Sequence, residues 1–154
     1  MTDEDMEQNR KDALSVADKC SFAVLSLVTA GNEPYGVALG IVRDGGYIYL
    51  LSAKSCKKIE CMKHKPFGSF FCTDWQKLRP EDFTLDFRSA VISGSISEVT
   101  DESEKIHALR LICLRYAPSN MAAFDSAVKK SLSVTGIWKM KIEKASCIVK
   151  GSAK

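Results

Sequence analysis

Residues 51–60, Leu-Ser-Ala-Lys-Ser-Cys-Lys-Lys-Ile-Glu, combine anion-binding side chains with a spacing typical of a helix start. An apolar run ends at Ser52, and after a short polar segment come two adjacent lysines, Lys57 and Lys58. A helix that begins here would direct free backbone N–H groups and the positive end of its dipole at the turn, which suits a phosphate. A solvated helix face, whose charge continues as far as Lys65, explains the lysines equally well.

The cysteines of this stretch raise two further alternatives. Cys56, Cys61 and His64 are residue types that bind metals. On a helix, however, position 56 lies on a different face from position 61, and the sequence offers no obvious fourth ligand nearby. We therefore predict no metal site. Cys56 is either a thiol with a lowered pKa beside the lysines or a small residue on a turn, and the second is the simpler interpretation. The remaining cysteines are expected to be mostly reduced and buried.

The elements that position this stretch follow from hydrophobic periodicity and turn signals. Tight turns join the first three strands, which predicts an antiparallel meander. Closing the sheet removes exposed edges, so we predict a mainly β fold, a six-stranded antiparallel barrel with two or three packed helices, in one domain spanning 1–154. The predicted strands are 22–28, 35–42, 47–52, 67–75, 87–99 and 134–145; the predicted helices are 6–19, 55–64 and 102–116; a polar loop covers 76–86, and 119–131 is weakly helical or loop.

Composition excludes several classes of function. The chain has 154 residues, of which 45% are hydrophobic and 27% charged, as in ordinary globular domains. A net charge of +3 is too small to predict binding to nucleic acid. No apolar run approaches the roughly 20 residues of a membrane span, and the acidic N-terminus lacks the apolar core of an export signal. We expect a cytoplasmic protein that binds neither nucleic acid nor a membrane.

The order of the motifs resembles that of the pyridoxamine 5′-phosphate oxidase-like split β-barrel flavoproteins, and within them the nitroimidazole-resistance proteins. This resemblance covers roughly residues 10–145 and implies a split β-barrel that binds FMN. Its motifs are PYGVALG at 34–40, YIYLLSAKSCKK at 47–58, FRSAVISG at 87–94, the helix end RYAP at 115–118, and the final apolar strand with Trp138.

The resemblance also implies which residues hold the flavin. The second strand is expected to follow the ring with its backbone, the end of the third strand to lie beside the ring and phosphate tail, the two lysines to bind the phosphate, and the start of the fifth strand to reach the flavin. Nitroimidazole-resistance proteins usually carry histidine where this chain has leucine at position 51, and glycine at position 56. Leucine cannot transfer protons, so no residue of this chain stands out as an acid–base catalyst, and the catalytic residues stay unassigned. The expected FMN-binding residues are Val37, Ala38, Leu39, Leu51, Ser52, Lys57, Lys58, Arg88 and Ser89.

These inferences lead to one expected function and two alternatives. We expect a homodimeric FMN-dependent oxidoreductase that acts on a small aromatic or nitro compound, with flavin at the subunit interface. The final strand, with Ile137, Trp138 and Met140, is expected to supply an apolar dimer surface. The alternatives are a non-catalytic flavin-binding or sensing module and a haem-binding split barrel, although Leu51 removes the obvious axial ligand.

Overall fold

A computed structural model describes residues 2–154, which form one antiparallel sheet and four α-helices. Two short 3-10 helices, Pro80–Asp82 and Pro118–Ala123, lie between larger elements. The strands are β1 Ala23–Val28, β2 Pro34–Leu39, β3 Ile41–Asp44, β4 Tyr47–Ala53, β5 Phe67–Arg79, β6 Thr84–Glu98 and β7 Thr135–Lys150. The helices are α1 Asp3–Lys19, α2 Lys57–His64, α3 Glu102–Tyr116 and α4 Phe124–Ser131.

The strand order shows how the sheet becomes a barrel. The order is β2–β1–β5–β6–β7–β4–β3, and all neighbouring strands are antiparallel. β2 and β3 stand at opposite edges although only Gly40 separates them in the chain. The sheet must therefore curl until its edges approach each other, and within residues 2–154 the chain, not strand pairing, joins them. The predicted fold class is confirmed, with seven strands in place of six and four helices in place of two or three.

The end of α3 holds the chain where it crosses between the two sheet edges. The Tyr116 hydroxyl accepts a hydrogen bond from the Ile41 N–H at 3.1 Å and lies 3.2 Å from the Ile41 carbonyl oxygen. Arg115 donates to the same carbonyl at 2.8 Å and also to the carbonyls of Ala17 and Cys20. A Cβ on the preceding glycine would lie 3.1 Å from the Tyr116 ring, so the glycine permits this close approach.

Several predicted boundaries were wrong. The strand expected at 35–42 breaks at the glycine corner and becomes β2 and β3. The loop expected at 76–86 is instead a hairpin arm, because β5 and β6 continue to pair up to Arg79 and Thr84, with Leu78 opposite Leu85. The final strand runs on to Lys150, because its second half pairs with β6.

The core has two parts, one inside the barrel and one beneath the outer helices. The inner cluster is built from alternate residues of the strands together with one face of α1, which buries Ala13, Val16 and Ala17. The second cluster lies between the outer surface of β3, β4 and β7 and the helices α3 and α4. Ile137, Trp138 and Met140 are buried in these clusters, so these three residues do not form the exposed apolar surface that we expected of them.

Local sequence explains where the long helices begin. Thr2 and Asp5 form a capping box at the start of α1, with side chain-to-backbone bonds of 3.1 and 3.0 Å. Asp101 caps α3 by accepting a bond from the Glu104 N–H at 2.9 Å. None of the helices in residues 2–154 is both long enough and apolar enough to cross a membrane.

Candidate functional site

The end of β4 and the start of α2 form a compact turn. Ser52 is buried, and its hydroxyl donates to the Ala53 carbonyl at 2.9 Å and lies 3.3 Å from Cys56 Sγ. Cys56 is the residue that precedes the first helical position of α2. Because the first N–H groups of a helix have no partner within the helix, those of Lys58 and Ile59 are available to the Cys56 thiol.

The pKa of Cys56 reports the electrostatic character of this turn. Burial opposes ionisation of the thiol, but the hydrogen bond with Ser52, the N–H groups of Ile59 and Lys58 and the charge of Lys58 together outweigh it. The pKa of Cys56 therefore lies below its ordinary value. Groups that stabilise a thiolate also stabilise other anions at the same place, so the turn has the positive potential that a phosphate requires.

Two lysines extend from this turn without acidic partners. Lys57 is exposed and Lys58 is half-buried, and neither belongs to any of the ion pairs found in residues 2–154. The Lys57 ammonium lies over the ring of Tyr35, 4.8 Å from its centroid. Tyr35 belongs to β2, so this contact brings the cationic turn beside the strand that we expected to follow the flavin ring.

β2 offers its backbone, and not its larger side chains, to a ligand. Val37 and Leu39 pack against the inner core, whereas Ala38 points outward and is exposed. β2 is an edge strand, and the outer edge of such a strand presents backbone N–H and C=O groups without strand partners. A flat heterocycle with alternating donors and acceptors suits such an edge.

Leu51 and Ser52 point to opposite sides of β4. Neighbouring residues of a strand alternate between the two faces of the sheet. Leu51 is half-buried against the outer cluster beneath α3 and α4, while Ser52 faces the turn. The side chain of Leu51 therefore packs in the apolar layer outside the barrel, and only its backbone lies near the cationic turn.

Arg88 and Ser89 are separated in the same way. Arg88 forms an ion pair with Asp74 and lies 3.4 Å from the Ser15 hydroxyl on α1. Its charge is therefore already neutralised by a carboxylate. Ser89, the next residue, is almost buried and faces the opposite side of β6. The two side chains therefore cannot contact a single flavin from the same face of the strand.

The outward side of Ser89 opens into an apolar cleft that we did not predict. The cleft has a volume of about 480 Å³ and crosses β5, β6 and β7. Phe71 and Ile148 line it and are 46% and 59% exposed, which is unusual for large apolar side chains that lie close together. The signal in the sequence was the pair of adjacent phenylalanines in β5, of which only Phe70 fits inside the barrel. The other lining residues are Thr73, Gln76, Leu85 and Phe87.

Cys61, His64 and His107 lie in different environments. Cys61 is buried in the inner core, while His64 is exposed at the end of α2. His107 Nε2 lies 2.7 Å from an Asp44 carboxylate oxygen on the outer surface. Across residues 2–154, no three or more histidine, cysteine, aspartate or glutamate side chains are grouped to hold a metal ion.

The chain thus forms a curled antiparallel barrel with a cationic turn beside an edge strand. This chain belongs to the pyridoxamine 5′-phosphate oxidase family, which matches residues 9–149. The resemblance inferred from the order of the motifs is thereby confirmed. A search of curated proteins found no match.

Solved structures share the fold at low sequence identity. A candidate 5-nitroimidazole antibiotic resistance protein from Bacteroides thetaiotaomicron is 20% identical over 91% of this chain and 83% of its own, with a TM-score of 0.75. A flavocytochrome from Azotobacter vinelandii is 18% identical over 93% and 68%, with a TM-score of 0.79. An FAD- and haem-binding protein from Mycobacterium smegmatis is 17% identical over 96% and 73%, with a TM-score of 0.78. One of these three proteins is thus described as binding both FAD and haem.

Proposed function

We propose that this chain is an FMN-binding flavoprotein whose phosphate site is the turn between β4 and α2. The observation that carries the proposal is the placement of two lysines without acidic partners at the start of a helix that already stabilises a thiolate. Lys57 and Lys58 would hold the phosphate through charge-assisted hydrogen bonds, with Ser55 adding a hydroxyl. Ser52 donates to Ala53 in this structure, so its hydroxyl would have to turn to become a phosphate donor.

The ring of the cofactor is proposed to lie along the edge of β2. Lys57 contacts Tyr35, so the phosphate site and this edge are adjacent. The backbone from Val37 to Leu39 can exchange hydrogen bonds with the polar rim of the isoalloxazine, and the small side chain of Ala38 leaves room beside it. This arrangement fits FMN, which has one phosphate, and the residues named here provide one strongly cationic turn.

The second half of the site is proposed to come from a second copy of this chain. The surface around the 480 Å³ cleft exposes Phe71, Val91 and Ile148, and the hairpin arm exposes Leu78 and Phe83. A patch of large apolar side chains of this kind marks an association surface. A two-fold contact would bury the same patch on both subunits and create two equivalent flavin sites. Ser89 faces this surface, so its flavin contact is proposed to be with the partner's cofactor.

The chemistry is proposed to be oxidation and reduction of a small aromatic or nitro compound in the cytoplasm. FMN supplies hydride and electron transfer when bound, and the protein supplies binding, orientation and electrostatics. The apolar patch, buried between the subunits, would exclude water from one side of the ring, and the open face of the ring would stack on a flat aromatic substrate. Leu51 offers no proton, so protonation of a reduced substrate is proposed to come from solvent.

The absorption spectrum of the purified protein tests the cofactor directly. Bound flavin gives two broad bands in the near-ultraviolet and blue, whereas haem gives a sharp Soret band. We expect the flavin spectrum, and release of the cofactor by denaturation should yield FMN. A Soret band, or FAD in the released fraction, would contradict the proposal and would favour the cofactors of the solved relatives.

A second measurement separates an enzyme from a flavin-binding sensor. NADH or NADPH is added to the flavin-loaded protein with a nitroaromatic acceptor, and the absorbance of the pyridine nucleotide is followed. Steady consumption at a rate above that of free FMN supports an oxidoreductase. A single stoichiometric bleaching, or none, would indicate a binding or sensing role for the same site.

A further inference from the structure

A cleft of about 390 Å³ opens where the ends of three strands meet two outer helices. Pairing of Ala53 with Thr135 brings the end of β4 beside the start of β7. The Val99 N–H donates to the Ile137 carbonyl at 2.8 Å, so the chain that leaves β6 lies there too. The first turn of α3 and the end of α4 form the other walls of the cleft.

Three lysines from distant parts of the chain line this cleft, which we call the lysine cleft. Lys54 follows β4, Lys105 lies in the first turn of α3, and Lys129 lies in the last turn of α4. Lys105 is half-buried and the other two are exposed. Within residues 2–154 none of the three forms an ion pair. Glu102 supplies the one carboxylate of the lining, so the cleft carries a net of two positive charges.

The stability of the helices does not explain this concentration of charge. A cation at the end of a helix is favourable, which accounts for Lys129 on α4. Lys105 lies instead near the positive end of α3, where a cation is unfavourable. Like charges that converge on one cleft also repel each other. A bound anion would remove this repulsion and would give the half-buried Lys105 the partner that it lacks.

The remaining lining residues favour a compact phosphate group. Thr100 and Ser133 add hydroxyl groups to the three ammonium groups, and all of them can donate hydrogen bonds to phosphate oxygens. Leu132 is the only apolar residue among the described residues of the lining, which therefore offer no aromatic ring on which a nucleic acid base could stack. The cleft thus suits the phosphate of a small molecule better than a nucleic acid strand.

We propose that the lysine cleft binds the phosphate or pyrophosphate group of a small metabolite, as a second anion site beside the turn assigned to FMN. Lys54 stands three positions before Lys57, so their Cα atoms are at most about 11 Å apart. The two sites are nevertheless separate, because Ser52 faces the turn whereas α3 and α4 cover the opposite side of β4. The proposal holds whether or not the turn binds FMN.

The test is a calorimetric titration with sodium pyrophosphate at fixed ionic strength. It uses the variant Lys57→Ala with Lys58→Ala, so that the turn has lost its own lysines. We expect saturable binding of pyrophosphate to this protein. Adding Lys105→Ala and Lys129→Ala should weaken the binding by about 100-fold, since each charge-assisted hydrogen bond contributes about tenfold. Failure of pyrophosphate to bind at millimolar concentration, or undiminished binding after both substitutions, would overturn the proposal.

A control pair and a measurement on the parent protein separate local binding from a general effect of charge. Lys141→Ala with Lys144→Ala removes the same charge from β7, outside the cleft, and should leave pyrophosphate binding unchanged. An equal loss in this control would overturn the assignment. In the parent, pyrophosphate should shift the amide NMR signals of Thr100 and Ser133. Shifts confined to residues 52–58 would contradict the proposal even if the variants do not fold.

A comparison of NADPH with NADH identifies the source of the phosphate, because the two nucleotides differ only by a phosphate on the adenosine ribose. Tighter binding of NADPH that Lys105→Ala with Lys129→Ala abolishes supports the site and assigns it to a nucleotide. Equal binding of the two nucleotides, with pyrophosphate binding retained, supports the site and assigns it to a free phosphorylated metabolite. If FMN binds and pyrophosphate does not, only the lysine cleft is wrong; if pyrophosphate binds and FMN does not, only the proposed cofactor is wrong.

Discussion

Replacing Lys57 and Lys58 together by alanine should remove the preference of this protein for FMN over riboflavin. Riboflavin lacks the phosphate, so the ratio of the two dissociation constants isolates what the phosphate contributes to binding. Hydrogen bonds to charged groups contribute about 1.5–3 kcal/mol each. Lys57 is exposed and Lys58 only half-buried, so the lower end of this range applies. We expect about tenfold per lysine, or roughly 100-fold in the ratio for both.

The assay is a fluorescence titration of apoprotein with each flavin at fixed ionic strength. The double variant should bind riboflavin as the parent does and bind FMN about as weakly as riboflavin. Salt should also weaken FMN binding less in the variant than in the parent, because fewer charges are involved. Lys63→Ala with Lys65→Ala is the matched control, since it removes the same charge from the other end of α2.

Two results would refute this reasoning, and they differ in meaning. If the variant keeps the full FMN preference of the parent, the phosphate lies elsewhere and the assignment of the turn is wrong. If the parent binds neither flavin, the proposed cofactor itself is wrong, whatever the lysines do. An equal loss in the control pair would show a general effect of charge and no local contact.

Three further substitutions test the structure around the site. Tyr116→Phe should cost about 1–2 kcal/mol and lower Tm by about 2–8 °C, because the Ile41 N–H loses its acceptor at the sheet corner. Glu104→Gln should cost about 1–2 kcal/mol at pH 7, because it breaks the pair with Lys139. Leu51→His should leave FMN affinity nearly unchanged and confer no nitroreductase activity, but it should lower Tm, because the side chain lies in the apolar layer outside the barrel and away from the cationic turn.

Each substitution has an outcome that contradicts it. Tyr47→Phe, which removes a hydroxyl at the rim of the barrel, should not change Tm. If it lowers Tm as much as Tyr116→Phe does, the hydrogen bond to Ile41 does not explain the loss. The hydrogen bond from Lys139 lowers the pKa of Glu104, so the pair stabilises the fold above about pH 4.5 and this stabilisation is lost as the pH falls further. If the stability of Glu104→Gln falls with pH in parallel with that of the parent, the pair does not contribute to the pH dependence. A gain of pH-dependent nitroreductase activity in Leu51→His would contradict the placement of this side chain in the outer apolar layer.

The elements nearest the proposed phosphate site were predictable because their signals are local. Alternation along 47–52, the polar break after it and the lysine pair define a strand, a turn and a helix start within a dozen residues. The caps of α3 and the glycines of the turns act over similar distances. Family membership also followed from the order of such motifs, and the match to residues 9–149 agrees with it.

The sequence by itself determined which segments are strands and helices, and that a cationic turn follows β4. Only the tertiary structure decided which surfaces meet. Alternation shows that Leu51 and Ser52 face opposite ways, but not that one packs beneath α3 and the other faces the turn. Gly40 marks a break, but the contact with Tyr116, 76 positions later, makes it the corner between the sheet edges.

The same limit applies to every feature that joins distant parts of the chain. The sequence around Arg88 shows no acidic partner for it, but in the folded chain Arg88 forms an ion pair with Asp74. Arg115 and Ala17 are 98 positions apart, and only the folded chain brings the guanidinium to the Ala17 carbonyl at the end of α1. Periodicity encodes how each segment divides into faces, whereas the partner of each face depends on the free energy of packing the whole chain, which no local pattern contains.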